Sequence, residues 1–275
     1  MMSEPTVATK VMIEELFNGA AGAYDRTGPS VFAEFGARLV EQVPFGAGAH
    51  VLDVATGRGA VLLPAARRAG SAGYVTGVDL SALMLVEAAR AARLEGLTNV
   101  DLLKMDAEHL DFPDQSFDVV LCAFALFLFP DMEAALREIH RVTKPGGCIG
   151  VSTFGITPPL CDPAFPILMQ LFAAHRGSVR MPQPITFAPE ALEALLVQFG
   201  FRSIEARSES TEVVYGSLEE WWAFLMTLGP RVTILGMDEE TRARFKDDYF
   251  AKLRPLLRPD GLRLPVPVVY ATAQR

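Results

Sequence analysis

The chain has 275 residues, half of them hydrophobic, with 25 Lys and Arg against 33 Asp and Glu for a net charge of −8. A chain of this length buries roughly three quarters of its unfolded surface without disulfide staples, and an acidic total with no Lys/Arg run argues against a nucleic-acid partner. Mean hydropathy is high at +0.25, yet no apolar run approaches the roughly 20 residues of a membrane span and the start, MMSEPTVATKVMIEE, is unlike a signal peptide, so a cytoplasmic globular protein is expected.

Residues 1–45 read as an N-terminal helical cap. Ile13, Leu16, Phe17 and Ala20 fall at i, i+3, i+4, i+7, and Phe32, Phe35 and Leu39 form a second stripe after Gly28-Pro29-Ser30. From residue 46 to 154 short β-rich runs alternate with helical stretches. The strands are predicted at 50–55 (HVLDVA), 74–79 (YVTGVD), 100–105 (VDLLKM), 117–122 (FDVVLC) and 148–154 (CIGVSTF). Helices are predicted over 59–69, from a cap at Ser81 to Gly96, and from a cap at Asp131 to the run Lys144-Pro145-Gly146-Gly147. Near-continuous apolar strands alternating with helices predict a doubly wound α/β fold with a buried, mostly parallel sheet.

A Pro-rich stretch follows, with a short helix expected at 167–175 and another at 189–199. A strand at 201–208, helical segments at 217–228 and 238–253, and a last strand at 263–272 complete the chain. Residues 155–275 are thus expected to supply lid insertions and the final strands of the same sheet, in one domain overall. Cys122, Cys148 and Cys161 form no CxxC, and His50, His109, His140 and His175 are scattered, so neither a disulfide framework nor a metal site is predicted.

The chemistry gathers at strand ends. The first strand runs into Asp53-Val54-Ala55-Thr56-Gly57-Arg58-Gly59, where glycines let the backbone approach a ligand and the next helix offers free N–H groups. A dinucleotide fingerprint needs a third Gly where Leu62 stands, which demotes a nicotinamide oxidoreductase. Asp79 closes the second strand, where a carboxylate can accept both hydroxyls of a ribose, and Asp106 closes the third, where it can accept from an exocyclic amine. Any one of these acids could simply cap a helix; three in register at successive strand ends point to a ligand at the switch point.

The runs VLDVATGRGA, VTGVDLSALML, MDAEHLDFPDQSFDVVLC and EIHRVTKPGG together resemble the motifs of class I S-adenosylmethionine-dependent methyltransferases. The likeness is greatest to the small-molecule branch that includes ubiquinone- and menaquinone-biosynthesis enzymes, and it covers about residues 9–154. The resemblance implies a seven-stranded Rossmann-like sheet with N-terminal helices and a helical lid insertion. It implies S-adenosyl-L-methionine as cofactor and S-adenosyl-L-homocysteine as product. Asp53, Ala55, Gly57 and Gly59 would line the methionine part, and Asp79 would hold the ribose with Leu80 and Met84 nearby. Asp106 and Ala107 would meet the adenine, Cys122 would lie at the strand-four exit, and Tyr24 would fold over the cofactor. Two positions depart from the pattern. Arg58 stands where a small residue is common, and the strand-four exit reads Phe124-Ala125-Leu126-Phe127-Leu128-Phe129-Pro130 where relatives often carry His.

An aromatic exit suits an apolar or aromatic small-molecule substrate, and electron-rich rings favour a sulfonium. Phe124, Phe127, Phe172, His175 and Trp222 are the expected substrate pocket, and His175 is the candidate base; no other catalytic residue emerges. Trp221-Trp222 suits a lid face, core packing or a subunit contact, which leaves a homo-oligomer open. The expected activity is methyl transfer to O, C or N. The alternative is a non-methylating cofactor-binding protein, or a cyclase, on a methyltransferase scaffold.

Overall fold

The structure is a computed structural model that describes residues 4–156, 164–174 and 186–275. Two N-terminal helices, α1 (Glu4–Ala20) and α2 (Val31–Gln42), precede β1 (His50–Val54), α3 (Leu62–Ala69), β2 (Tyr74–Asp79), α4 (Ala82–Leu94) and β3 (Val100–Lys104). Then come β4 (Phe117–Ala123), α5 (Met132–Val142), β5 (Thr143–Phe154), α6 (Ala164–Ala174) and α7 (Pro189–Gln198). The last part holds β6 (Arg202–Tyr215), α8 (Leu218–Leu225), α9 (Pro230–Leu235), α10 (Glu239–Leu253), β7 (Leu257–Arg258) and β8 (Gly261–Gln274).

The strands form one sheet in the order β3-β2-β1-β4-β5-β8-β6, with the short β7 paired to β8. The first five are parallel; β8 runs antiparallel to both β5 and β6. Strand order turns back between β1 and β4, so a crevice opens beyond their carboxyl ends. Alternate residues of each strand feed two separate apolar layers. Val51, Val119, Leu121 and Tyr270 pack on one face with α2, α3, α8 and α10. Leu52, Val54, Val120 and Ile149 pack on the other with α5 and α7. Coverage of both faces explains why these strands read as continuous apolar runs.

The two sequence-predicted caps are formed: Ser81 Oγ accepts from the Met84 N–H, and Asp131 Oδ1 from the Ala134 N–H. Four elements differ from the sequence reading. Helix α3 starts at Leu62 because Gly59 has φ +92°, outside the helical region. The Lys144-Pro145-Gly146-Gly147 run is a bulge inside β5, since Thr143 pairs with Phe117 and Cys148 with Val119. Strand β6 continues to Tyr215 because β8 outruns β5 and gives it a partner as far as Leu262. Helix α9, with Pro230 in its first turn, falls in the gap between the helical segments expected at 217–228 and 238–253.

The cap is seated on the crevice through one close approach. A Cβ on Gly36 of α2 would lie 2.4 Å from the backbone oxygen of Ala60, in the turn between β1 and α3. Backbone cannot give way as a side-chain tip can. Gly36→Ala is expected to destabilise the protein by about 1–3 kcal/mol in urea unfolding, with the m-value unchanged.

Candidate active site

A cleft of about 350 Å³ lies at the carboxyl ends of β1, β2 and β4 and beneath the N-terminal cap. Its floor is built from strand exits. Leaving β1, Ala55 (φ +56°), Gly57 (φ +53°) and Gly59 (φ +92°) all take left-handed backbone, which turns the chain sharply. For Ala55 that conformation costs of order 1–3 kcal/mol, and strain of that kind collects where a turn must be held for a ligand. A Cβ on Gly57 would meet no protein atom within 4 Å, so the space beside it belongs to the cleft.

Asp79 ties the first two turns together. Its Oδ2 accepts from the Gly57 N–H and its Oδ1 from the Ser81 N–H, both at 2.8 Å. Burial pushes its pKa up while these two N–H groups pull it back. A carboxylate has about four acceptor positions, so two remain for hydroxyl groups of a ligand. Asp53 is buried and its Oδ2 accepts from Thr56 Oγ1 at 2.6 Å. Burial, with Asp79 adding repulsion, raises its pKa to about 7.

The third acid is held differently. Strand β3 ends at Lys104, and Asp106 sits in the following turn, where its Oδ1 accepts from the Glu108 N–H at 3.0 Å. Lys10 of α1 donates to Asp106 Oδ2 at 2.6 Å and also pairs with buried Glu108. Glu108 in turn accepts from the Asp131 N–H at the start of α5. Burial alone would lower the Lys10 pKa, but the two carboxylates more than offset it. The cap thus closes the cleft with a cation on the acid pair. Lys10 lies 96 residues from Asp106, and sequence reasoning passed over it because nothing local marks it.

The other end of the cleft is aromatic. Tyr24 stacks on Phe32 with ring centroids 5.1 Å apart, and Phe32 meets the edge of Phe124 at 5.3 Å. Phe124 has φ +53°, held by its N–H on the Ser152 carbonyl at 2.8 Å, which turns the β4 exit toward the cap. Leu128 and Phe129 continue this wall. Asp25 also lines the cleft, but its two oxygens accept from the Phe32 and Ala33 N–H groups and so cap α2.

Of the residues singled out from sequence, Tyr24, Asp53, Ala55, Gly57, Gly59, Asp79, Leu80, Met84, Asp106, Ala107 and Phe124 all fall on this cleft. Four others do not. Cys122 points into the apolar layer under α5, with burial pushing its thiol pKa up, and Ala123 lines the cleft instead. Phe127 packs on Phe154 at 5.8 Å, behind the wall. Phe172 stacks on Phe245, and Trp222 sits among Phe245, Tyr249 and Phe250, so both serve the helical layer over β8. His175 lies outside the described residues. Besides Lys10, the cleft includes Ile13, Phe17 and Phe32, read from the sequence only as helix stripes, and Glu108, which lies in a motif run but was given no role.

A mostly parallel sheet with acids at or just beyond the ends of β1, β2 and β3, under a helical cap, is the arrangement of Rossmann-like proteins that bind a nucleoside-containing ligand at the switch point. Comparison with known proteins narrows the class. The methyltransferase-domain family matches residues 51–147. Aklanonic acid methyltransferase DauC of Streptomyces sp. strain C5 is 37% identical over 57% of this chain and 74% of its own length. Demethylmenaquinone methyltransferase of Staphylococcus saprophyticus is 30% identical over 73% of this chain and 92% of its own. Among solved structures, the cyclase SpnF superposes with a TM-score of 0.59 at 21% identity, over 98% of this chain and 96% of that one, a likeness of fold. The chain belongs to the class I S-adenosylmethionine-dependent methyltransferases.

The raised pKa of Asp53 has a signed consequence. The native state keeps a proton that the unfolded chain, with a carboxyl pKa near 3.9, releases earlier. The contribution of Asp53 to stability therefore falls as pH rises from about 4 to 7 and is flat above, by at most about 1.4 kcal/mol per pH unit. Asp53→Asn is expected to remove that slope, so that its stability relative to wild type rises across the same window in urea titrations.

Proposed function

We propose that this enzyme moves the methyl group of S-adenosylmethionine to O, C or N of an apolar or aromatic small molecule. The observation that carries this reading is the continuity of one cleft, acid-lined at the Asp79 and Asp106 end and aromatic at the Tyr24, Phe32 and Phe124 end. The donor set fits the cofactor. Asp79 has acceptor positions left for a ribose, and Gly57 leaves backbone open to the methionine part. Asp106 keeps lone pairs for an amine while paired to Lys10. When bound, the cofactor supplies an electrophilic methyl on a sulfonium, ready for in-line displacement.

The protein's share is proximity and alignment, which can lower a barrier by several kcal/mol. Asp79 and the Gly57–Gly59 turn fix one partner; the rings of Phe124, Phe32 and Tyr24 exclude water and orient the other. Asp25 accepts from the first-turn N–H groups of α2 with both oxygens and so orders the cap. Both relatives above carry methyltransferase names, which favours transfer over a non-methylating role on this scaffold. No helix among the described residues is long and apolar enough to cross a membrane. A cytoplasmic setting is part of the proposal.

Calorimetry is expected to show micromolar binding of S-adenosylhomocysteine. Asp79→Ala should weaken it by about 1–3 kcal/mol, through lost hydroxyl contacts and through orphaning of the Gly57 and Ser81 N–H groups. Transfer of labelled methyl to a polyketide-like or quinone-like acceptor tests the reaction itself. Tight cofactor binding with no transfer to any apolar acceptor would sink the substrate reading.

A further inference from the structure

The turn at Gly57–Gly59 offers its backbone to the cleft, which Arg58 also lines, and the Arg58 side chain extends from that turn to the cap. The guanidinium is only 11% exposed. Its Nη1 donates to the carbonyls of Ala21, at 2.6 Å, and Gly22, at 3.2 Å, just past the end of α1. Its Nη2 donates to Glu87 of α4 at 3.0 Å. Carbonyls at a helix end are unpaired and carry negative partial charge, and a planar fork matches several acceptors at once. Arg58 therefore bridges three parts of the molecule, namely the cofactor turn, the end of α1, and α4.

What it holds leads to the acceptor wall. The Tyr24 N–H is bonded to the Ala20 carbonyl at 2.9 Å, one residue before the first carbonyl that Arg58 grips. The Tyr24 ring stacks on Phe32, and Phe32 leans on Phe124. Besides the Arg26–Glu87 and Glu14–Lys104 pairs, the cap has two fastenings beside the cleft acids. Asn18 accepts from Ser81 Oγ at 2.7 Å, next to Asp79, and Lys10 pairs with Asp106. Those two act through side chains that meet the cap beside the ribose-side and adenine-side acids. Arg58 alone among the three belongs to the glycine turn itself.

We propose that Arg58 is a positioning residue that carries the seating of the cofactor at Gly57–Gly59 to the N-terminal cap, and so sets the Tyr24–Phe32 wall for the acceptor. The fork satisfies the Ala21 and Gly22 carbonyls and Glu87 together only when turn and cap are both in place. A ligand that fixes the turn then lowers the cost of ordering the cap. By linkage, loss of the fork weakens the ligand by the factor it loosens the cap. A small residue at position 58 has no such reach, which gives the departure from the family pattern a physical role.

Hydrogen exchange of the α1 and 21–26 amides, with and without saturating S-adenosylhomocysteine, tests this in the full chain. In wild type the ligand is expected to slow exchange there by tenfold or more. Arg58→Met should lose most of that ligand-dependent slowing and bind S-adenosylhomocysteine roughly tenfold more weakly. Arg58→Lys, which keeps the charge but not the fork, should recover part of both. Glu87→Gln should lose two- to threefold in affinity, and it carries the test if Arg58→Met does not fold. Full ligand-dependent slowing in Arg58→Met, or in both Arg58→Lys and Glu87→Gln, overturns the proposal. So does faster exchange by the same factor with and without ligand, since that marks a packing role only. Wild type that bound no S-adenosylhomocysteine would instead overturn the cofactor assignment on which this rests.

Discussion

The carboxylate of Asp79 closes β2 and reaches back to the N–H of Gly57 while holding the N–H of Ser81 at the start of α4. Much of the site's geometry rests on this one group. It fixes the glycine turn in its left-handed course, it anchors the entry to the α4 cap, and it keeps acceptor positions for a ligand. Taking it out of water is unfavourable unless its lone pairs are met, and two backbone donors with room for hydroxyls meet them. A group placed this way is a structural brace, and in the proposed function it is a recognition element as well.

Around that brace the cap is assembled from contacts that are distant in sequence. Lys10 joins the Asp106–Glu108 pair, Asn18 joins Ser81, and Arg58 joins the carbonyls after α1. Each is a polar contact to a cleft-lining loop, and each is partly or largely buried. Breaking one partner of such a pair costs more than the pair contributes, because the other is left unsatisfied. The apolar stripe of α2, with Phe35, Leu39 and Val40 buried in the core, and these polar fastenings together specify the cap. On the acceptor side the same cap offers Phe17, Tyr24 and Phe32, so polar contacts at one end of the cleft set the rings at the other.

How much was legible in the sequence followed from the range of each interaction. The parallel core was legible because strands covered on both faces must be continuously apolar, and because Ser81 and Asp131 mark helix starts within three residues. The acids at strand ends were legible through spacing. The aromatic wall was read only in part. Phe124 reaches the cleft because its backbone takes a positive φ, whereas Phe127 turns behind it, and no local pattern separates the two. Trp222 and Phe172 were expected in the substrate pocket, yet the β6–β8 extension gives them a layer of their own to fill.

The surplus of apolar residues in an acidic chain therefore resolves into two sheet layers, a second helical layer and one aromatic cleft wall. The sequence by itself determined the fold class, the acids at the strand ends and the glycine turn, since periodicity, capping and backbone conformation are short-range properties. Only the tertiary structure decided that Lys10 pairs with Asp106, that Arg58 fastens the cap, and which rings face the cleft. Those contacts join segments far apart in the chain, and nothing short of the assembled sheet brings them within reach.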